Sequence, residues 1–269
     1  MIAVPVRTEV LMGTFVTIQV VEDSASGRAA IDRAFGWFRE IERRCTKFDP
    51  ESELRQLALR VGEPVPASPI VFEAVRFAVA VAEETGGAFD PTAGGDPDVS
   101  FRDIAVDTDA QTILLRRPLM IDLGAVAKGL AVDAAARELR PFRDFAIDAG
   151  GDLYLAGRNP AGEKWTVGVR HPREAGLIDS LRVSDAAVCT SGDYERPGHI
   201  VAPQHLRSGD EVASVTVVAP GAMLADALGT AAFVLGPREG LRLFGRHDVE
   251  GLIVTPTLER FETPGLPRA

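Results

Sequence analysis

The 269-residue sequence is poor in cysteine, in aromatic residues and in long apolar runs. Its two cysteines, Cys45 and Cys189, are too few for a disulfide framework or a cysteine-rich zinc site, and their apolar neighbours predict plain core packing. No apolar run approaches the roughly 18 residues of a membrane-spanning helix. The first residues also lack a basic segment followed by an apolar stretch and a cleavage site. We therefore expect a cytoplasmic protein with no membrane anchor.

Positive charge is also scarce. The chain has 29 Lys and Arg against 39 Asp and Glu, a formal net charge of −10, so its field repels phosphate backbones and we expect no nucleic-acid partner. Several catalytic patterns are absent: GxGxxG, GxxxxGK[ST], GxSxG and HExxH. Their absence gives no support to Rossmann dinucleotide binding, P-loop phosphate binding, triad hydrolysis or zinc proteolysis.

Helical and strand patterns both run through the chain and predict an α+β fold. Helical spacing occurs after Ser26, after Ser68-Pro69 and over residues 125–140, and again in MLADALGTAAFVLG, which Gly236-Pro237 should end. Runs of β-branched residues predict two strand segments around a Met-Gly bend in TEVLMGTFVTIQV. They also predict strands over 112–120, in FAIDAGGDLYLAG, KWTVGVRHP and LRVSDAAVCTSGDYE, and in ASVTVVAPGA and GLIVT.

No internal repeat or long linker divides the sequence. We therefore predict a single domain over residues 1–269. Its expected architecture is two interwoven lobes with mixed or antiparallel sheets and flanking helices.

Two polar residues interrupt the last apolar helix, at Asp226 and Thr230. The i, i+4 spacing places both oxygens on one helical face, where they could give a hard cation such as Mg²⁺ two ligands. The simpler interpretation has Asp226 favoured by the helix N-terminus and Thr230 bonded to its own backbone. From this pair alone the simpler interpretation is favoured.

Other chemistry-bearing residues are ambiguous by themselves. The turn DLGAVAKGLAVD brings an ammonium, Lys128, close to Asp122 and Asp133, and its backbone N–H groups could hold a phosphate oxygen, although an apolar helix with a surface lysine is commoner. The glycines of AGGD can serve a tight turn or a close strand contact. His199 could act as an acid or base near neutral pH.

Taken together and in order, these segments resemble the ApbE-like family of FAD:protein FMN transferases over nearly the whole chain. The matching blocks are Met12-Gly13-Thr14, KFDPESELRQL from Lys47, Phe89-Asp90-Pro91-Thr92, DLGAVAKGLAVD from Asp122, AGGD from Ala149, TSGDYER from Thr190 and ADALGTA from Ala225.

The resemblance implies an enzyme that cleaves FAD at its pyrophosphate, releases AMP and attaches FMN to a Ser or Thr of an acceptor flavoprotein with the help of Mg²⁺. It implies Asp226, Thr230 and the carbonyl of Ala125 as metal ligands. It places FAD contacts at Met12, Asp90, Lys128, Thr190, Ser191, Gly192 and Ile200, and we hypothesise that His199 activates or orients the acceptor hydroxyl.

The sequence departs from the family pattern after His199, where it reads HIVAPQH. The expected Asp is Ala202, and the expected Thr-Gly pair is missing. Two alternatives therefore stay open beside the transferase: a Mg²⁺-dependent FAD pyrophosphatase that makes FMN and AMP, and a flavin-binding protein without turnover.

Overall fold

A computed structural model describes residues 5–22, 24–192 and 211–269. Its helices are α1 (Ala25–Cys45), α2 (Glu53–Ala58), α3 (Pro69–Glu84), α4 (Gly124–Leu139) and α5 (Ala222–His247). Its strands are β1 (Val6–Leu11), β2 (Thr14–Val20), β3 (Pro64–Pro66), β4 (Ile104–Asp107), β5 (Thr112–Leu115), β6 (Phe145–Ala149), β7 (Asp152–Ala156), β8 (Trp165–Arg170), β9 (Leu177–Val183), β10 (Ala186–Gly192), β11 (Ser214–Ala219), β12 (Glu250–Val254) and β13 (Arg260–Glu262).

The main sheet has eight strands in the order β1-β2-β6-β7-β10-β11-β12-β13. A three-stranded sheet, β3-β5-β4, and a two-stranded sheet, β8-β9, accompany it. Every strand pair within the described ranges is antiparallel. The predicted α+β fold with antiparallel sheets and flanking helices is therefore confirmed, while the single domain over 1–269 stays a prediction.

The two faces of the main sheet are covered differently. On one face α1 packs against α4 and α4 against α5, with fully buried side chains such as Phe35, Phe38 and Phe244 in the core. On the other face a smaller apolar cluster joins Val188 and other strand residues to the β8-β9 hairpin. Side chains alternate between faces along a strand, so neighbouring residues of β10 belong to different layers.

Two tight turns bring separate sequence motifs together at one end of the sheet. Met12 and Gly13 link β1 to β2, Gly150 and Gly151 link β6 to β7, and all four have positive φ. Strand β2 pairs with β6, which places Thr14 against Gly150 so closely that a β-carbon at Gly150 would overlap the threonine hydroxyl. The glycine is required here both by φ and by space.

Several predicted element boundaries are wrong. The cap of α1 is Ser24, not Ser26, because the Ser24 hydroxyl accepts from the N–H of Gly27 at 3.0 Å. The helix predicted to end at Gly236-Pro237 continues as α5 to His247 across a kink at Gly236, whose φ is 81°. Proline then occupies the first position of a new helical segment, where its missing N–H costs nothing. Four short elements, α2, β3, β4 and β13, were not predicted.

Within the described ranges, no helix is long and apolar enough to cross a membrane.

Candidate functional site

A buried charge cluster lies where α4, α5 and the main sheet meet. The Lys128 ammonium on α4 donates a hydrogen bond to the carboxylate of Asp152, the first residue of β7. The Asp152 side chain is 2% exposed and that of Lys128 is 25% exposed. Asp226 on α5 is 7% exposed and acts electrostatically on the same ammonium. The tertiary structure thus joins two predicted site residues, Lys128 and Asp226, through a third residue that was not predicted.

The two carboxylates keep the lysine charged. Burial alone would lower the pKa of Lys128, but Asp152 and Asp226 outweigh it and raise that pKa above its ordinary value. Lys128 is therefore a permanent cation at physiological pH. The interpretation of Lys128 as a surface lysine is wrong, because α4 faces the sheet and α5 at this point.

Cys189 lies against the same cluster. Burial, together with the nearby Asp152 and Asp226, raises the pKa of its thiol well above the ordinary value. Cys189 pairs with Asp152 across β10 and β7. The prediction of plain apolar packing holds for the burial of Cys189 but is wrong for its surroundings, since the register of two strands distant in sequence brings the carboxylate there.

The first turn of α5 is held by α4. Both carboxylate oxygens of Asp133 accept hydrogen bonds, from Ala222 N at 2.7 Å and from Met223 N at 3.0 Å. One turn earlier on α4, a β-carbon at Gly129 would lie 2.5 Å from the Cα of Met223. The two helices are therefore in backbone contact, and Asp133 replaces the side-chain cap that α5 otherwise lacks.

The predicted metal ligands lie around this junction. Asp226 is buried in α5 and Thr230 follows one turn later, half-buried, on the same helical face. Ala125 stands in the first turn of α4 with non-helical φ and ψ of −95° and 20°. Among the residues that the structure describes, no group of three or more His, Cys, Asp and Glu could form a metal site. A cation here would need hydroxyl and main-chain oxygens beside the single Asp226 carboxylate.

Asp90 organises its own loop. Its Oδ1 accepts from the N–H and hydroxyl of Thr92 at 2.8 and 2.7 Å, and its Oδ2 accepts from Phe101 N at 3.2 Å. The next residue, Pro91, accepts from Asp122 N at 2.7 Å. The loop that carries Asp90 is thereby tied to the turn that begins α4.

Asp122 connects that turn to a further motif. One carboxylate oxygen accepts from Gly124 N at 2.8 Å and the other from Lys47 Nζ at 2.5 Å. Lys47 follows α1 in the KFDPES segment. Three separated motifs therefore converge on the N-terminus of α4 through Asp122, which the prediction of site residues omitted.

Met12 lies in the turn that links β1 to β2. Its main-chain N–H donates to Oε1 of Glu42 on α1 at 2.9 Å. Glu42 also lines an open cavity of about 460 Å³ together with Thr46, Phe48 and Asp49.

The residues predicted at the end of β10 divide between the two faces of the sheet. The buried Ser191 hydroxyl faces α5, where a β-carbon at Gly229 would lie 3.1 Å from it. The Thr190 hydroxyl is instead paired with that of Thr216 at 3.0 Å. By strand alternation Thr190 points to the face opposite Cys189 and Ser191, so only its main chain can serve the α5 side. Gly192 ends the strand and is buried.

Two predicted residues, His199 and Ile200, lie outside the described residues, as does Ala202. The sequence prediction did not single out Asp152 or Lys47 as site residues, and it noted Asp122 and Asp133 beside the Lys128 turn without giving them a role. A usable signal existed for Asp152, because it is a carboxylate that opens an otherwise apolar strand, where ionised groups are costly to bury unpaired.

The sequence profile of the ApbE family matches residues 12–95 and 96–253. The chain belongs to the ApbE family. The matched ranges contain the Met12 turn, the Asp122 turn, the Lys128 cluster and the Asp226 helix, which are the parts that the fold brings together.

Curated relatives of this ApbE chain carry the name FAD:protein FMN transferase. The Treponema pallidum protein is 28% identical over 304 residues, covering 93% of this chain and 84% of the relative. The Vibrio cholerae protein is 26% identical over 294 residues, covering 93% and 87%.

Solved ApbE structures have the same fold. The ApbE protein of Thermotoga maritima superposes with a TM-score of 0.88 at 26% identity and covers 97% of each chain. The flavin transferase ApbE of Vibrio cholerae superposes with a TM-score of 0.87 at 23% identity, also over 97% of each chain. At 23% identity the second match bears on the fold alone.

Proposed function

We propose that this protein is an FAD:protein FMN transferase whose reaction centre is the junction of α4, α5 and the end of β10. The observation that carries the proposal is the buried cluster of Lys128, Asp152 and Asp226 inside the range matched by the family. The Lys128 ammonium, held by carboxylates where α4 and α5 meet the main sheet, suits a substrate whose reactive part is a pyrophosphate.

The proposed reaction is a phosphoryl-type transfer. The acceptor hydroxyl oxygen bonds to the phosphorus of the FMN half of FAD, and the bond from that phosphorus to the bridging oxygen breaks. AMP leaves with the bridging oxygen, and the hydroxyl proton is released. The product is a phosphoester between FMN and a Ser or Thr of an acceptor flavoprotein.

Lys128 supplies fixed positive charge in this proposal. Its raised pKa means that it needs no proton transfer to remain a cation, and Asp152 restricts its position. An ammonium held in this way stabilises charge that develops on the pyrophosphate oxygens as the bond breaks. The turns that carry Asp90 and Asp122 are joined by the hydrogen bond from Asp122 N to the Pro91 carbonyl, and Asp122 comes just before α4. Both turns would therefore lie near the end of α4 that carries Lys128.

A divalent cation, Mg²⁺, is part of the proposal. Hard oxygen ligands are available from Asp226, Thr230 and the carbonyl of Ala125. Asp133 of α4 contacts Ala222 of α5, and Lys128 of α4 lies near Asp226 of α5. The two helices therefore run in opposite directions. Ala125 at the start of α4 lies toward the part of α5 that carries Asp226. Bound Mg²⁺ would neutralise pyrophosphate charge and align the phosphorus for in-line attack.

His199 keeps its proposed role of activating or orienting the acceptor hydroxyl, and the cytoplasmic location stays a prediction. A second candidate, Mg²⁺-dependent hydrolysis of FAD to FMN and AMP, is favoured by Ala202, which stands where the family pattern has Asp. In that reaction water replaces the acceptor hydroxyl and the bond that breaks is the same.

One experiment separates these functions. The purified protein is incubated with FAD and Mg²⁺, alone or with an FMN-binding domain that contains an acceptor Thr, and both AMP and protein-bound flavin fluorescence are measured. The same domain with that Thr changed to Val is the control. A transferase releases AMP and labels the Thr domain only. AMP without labelling would establish the hydrolase, and FAD binding without AMP would leave a flavin-binding protein.

Variants then test the assigned residues. Asp226→Asn should abolish Mg²⁺-dependent AMP release, whereas Asp98→Asn, at an exposed loop residue, should leave it unchanged. His199→Ala should lose FMN transfer, and transfer at the parent rate would refute the role of His199. If Ala202 favours hydrolysis, Ala202→Asp should raise the ratio of labelled domain to AMP.

A further inference from the structure

A second concave surface lies at the C-terminal end of α4, away from Ala125. It encloses about 510 Å³ between α4, the loop that leads to β6, β7 and the turn that begins α5. That volume is within the range of small-molecule sites. None of the predicted site residues lines this cavity, but Asp133, which holds the start of α5, does.

The rim of this cavity is basic, although the chain as a whole is acidic. Arg137, Arg140 and Arg143 all line it and are exposed. Within the described ranges, the guanidinium groups of Arg140 and Arg143 form no ion pair with a carboxylate. Two unneutralised guanidinium groups beside one cavity are an anion-binding arrangement, because each offers several N–H donors in a planar fork.

The two carboxylates in the lining are already satisfied by other donors. Asp133 accepts from two backbone N–H groups of α5. Asp185 accepts from Gly157 N at 2.9 Å and from the Ser184 hydroxyl at 2.9 Å. Neither forms an ion pair with Arg140 or Arg143, so the N–H donors of these two guanidinium groups stay available to a ligand.

The cavity also has an aromatic wall. The half-buried ring of Tyr154 stacks on Phe145 with centroids 5.9 Å apart and an interplanar angle of 21°. Burial and the neighbouring Asp185 raise the pKa of the Tyr154 hydroxyl, while Arg140 opposes that rise. Arg140 and the tyrosine therefore face the same space, and the phenol remains a protonated hydrogen-bond donor.

We propose that this cavity is a binding site for a small organic phosphate that carries an aromatic ring, of the nucleoside monophosphate class. The phosphate would bind Arg140 and Arg143, and the flat ring would contact the Tyr154 wall. This site is separate from the proposed reaction centre and does not depend on the transferase activity.

The chain contains only two tyrosines, Tyr154 and Tyr194, which makes a direct readout possible. The protein is labelled with 3-fluorotyrosine, and a Tyr194→Phe variant assigns the two ¹⁹F resonances. AMP, adenosine and inorganic phosphate are titrated separately without Mg²⁺. We expect AMP to shift the Tyr154 resonance saturably and to bind at least tenfold more tightly than adenosine or phosphate alone.

Charge reversal at the rim tests whether AMP binds in this cavity. Arg140→Glu/Arg143→Glu should weaken the AMP-dependent shift of Tyr154 at least tenfold, whereas Arg238→Glu, at an exposed position on α5 outside the cavity, should not. Because Arg140 lies near Tyr154, its reversal should move the ligand-free Tyr154 resonance by itself. An unchanged ligand-free Tyr194 resonance and a cooperative thermal unfolding transition therefore show that the variants fold. An unchanged Tyr154 resonance in millimolar AMP, equal affinity for adenosine, or an AMP shift that survives the double charge reversal would each overturn the proposal.

Discussion

The Lys128 ammonium and the Asp152 carboxylate form an ion pair between α4 and β7, with Asp226 of α5 adding a second negative charge nearby. The three residues come from three separate motifs of the ApbE family. Their meeting shows how the fold stabilises a charged group in a mostly apolar interior. Each charge is tolerated because the others are present.

We expect Lys128→Met to lower both activity and stability. Removal of the cation leaves the carboxylate of Asp152, 2% exposed, without its partner, which should lower the free energy of unfolding by about 3 kcal/mol. Urea unfolding and FAD-dependent AMP release measure the two effects. The double variant Lys128→Met/Asp152→Leu should regain part of the stability but no activity, because the buried carboxylate of Asp226 still lacks the ammonium. Recovery of AMP release in the double variant would contradict the role of Lys128.

The Asp133 contact with α5 should matter for cation use as well as for stability. Asp133→Ala removes the acceptor for Ala222 and Met223 N–H and should cost about 1–2 kcal/mol, as loss of a helix cap does. It should also raise the Mg²⁺ concentration needed for half-maximal AMP release, because the helix turn that carries Asp226 is loosened. Ser24→Ala removes the cap of α1 and is the matched control. An equal rise in the Mg²⁺ requirement there would show a general effect of stability.

The close approach of α4 and α5 makes Gly129 sensitive to a single methyl group. In Gly129→Ala the new β-carbon would meet the Met223 backbone at 2.5 Å, so the helices must separate, at a cost of about 1–3 kcal/mol. Gly36→Ala in α1 is the control, because nothing lies within 4 Å of its β-carbon position. That change should stabilise the protein by about 0.5–1 kcal/mol. Thermal unfolding of both variants tests the contrast, and equal melting temperatures would refute it.

The buried cysteines predict a loss of stability at high pH. Burial raises the pKa of Cys45 from 9.0 to about 12, and the pKa of Cys189 is also raised. Above pH 9 the unfolded chain releases thiol protons that the folded chain retains, so stability falls as pH rises toward 12. Titration of each thiol lowers the free energy of unfolding by at most about 1.4 kcal/mol per pH unit.

The cysteine effect is measured by urea unfolding between pH 8 and pH 10.5 for the parent and for Cys45→Ala/Cys189→Ala. The double variant should show a shallower decline, because lysine and tyrosine titration is common to both proteins. In the folded parent, neither thiol should react with a thiol reagent at pH 8. Parallel declines of stability in the two proteins would contradict the assignment.

Local sequence signals were sufficient for much of the secondary structure. Ser68-Pro69 begins α3 as predicted, and Gly86 and Gly87 follow its end with positive φ. The Met12-Gly13 bend was also predicted, since glycine and apolar periodicity act over a few residues. The segment FAIDAGGDLYLAG was predicted as one strand, but the Gly150-Gly151 turn divides it into β6 and β7. The continuation of α5 beyond its kink was not predicted, because Gly236-Pro237 indicates an interruption but does not show whether a helix resumes after it.

The sequence by itself determined the residue types of the site, their order, the helices and strands that carry them, and the resemblance to the ApbE family. Only the tertiary structure decided which of these residues meet. Lys128 and Asp152 are brought together by packing of α4 on the main sheet, and Cys189 reaches Asp152 through the register of β10 with β7. Strand register and helix packing depend on contacts between residues distant in sequence, which no local pattern records.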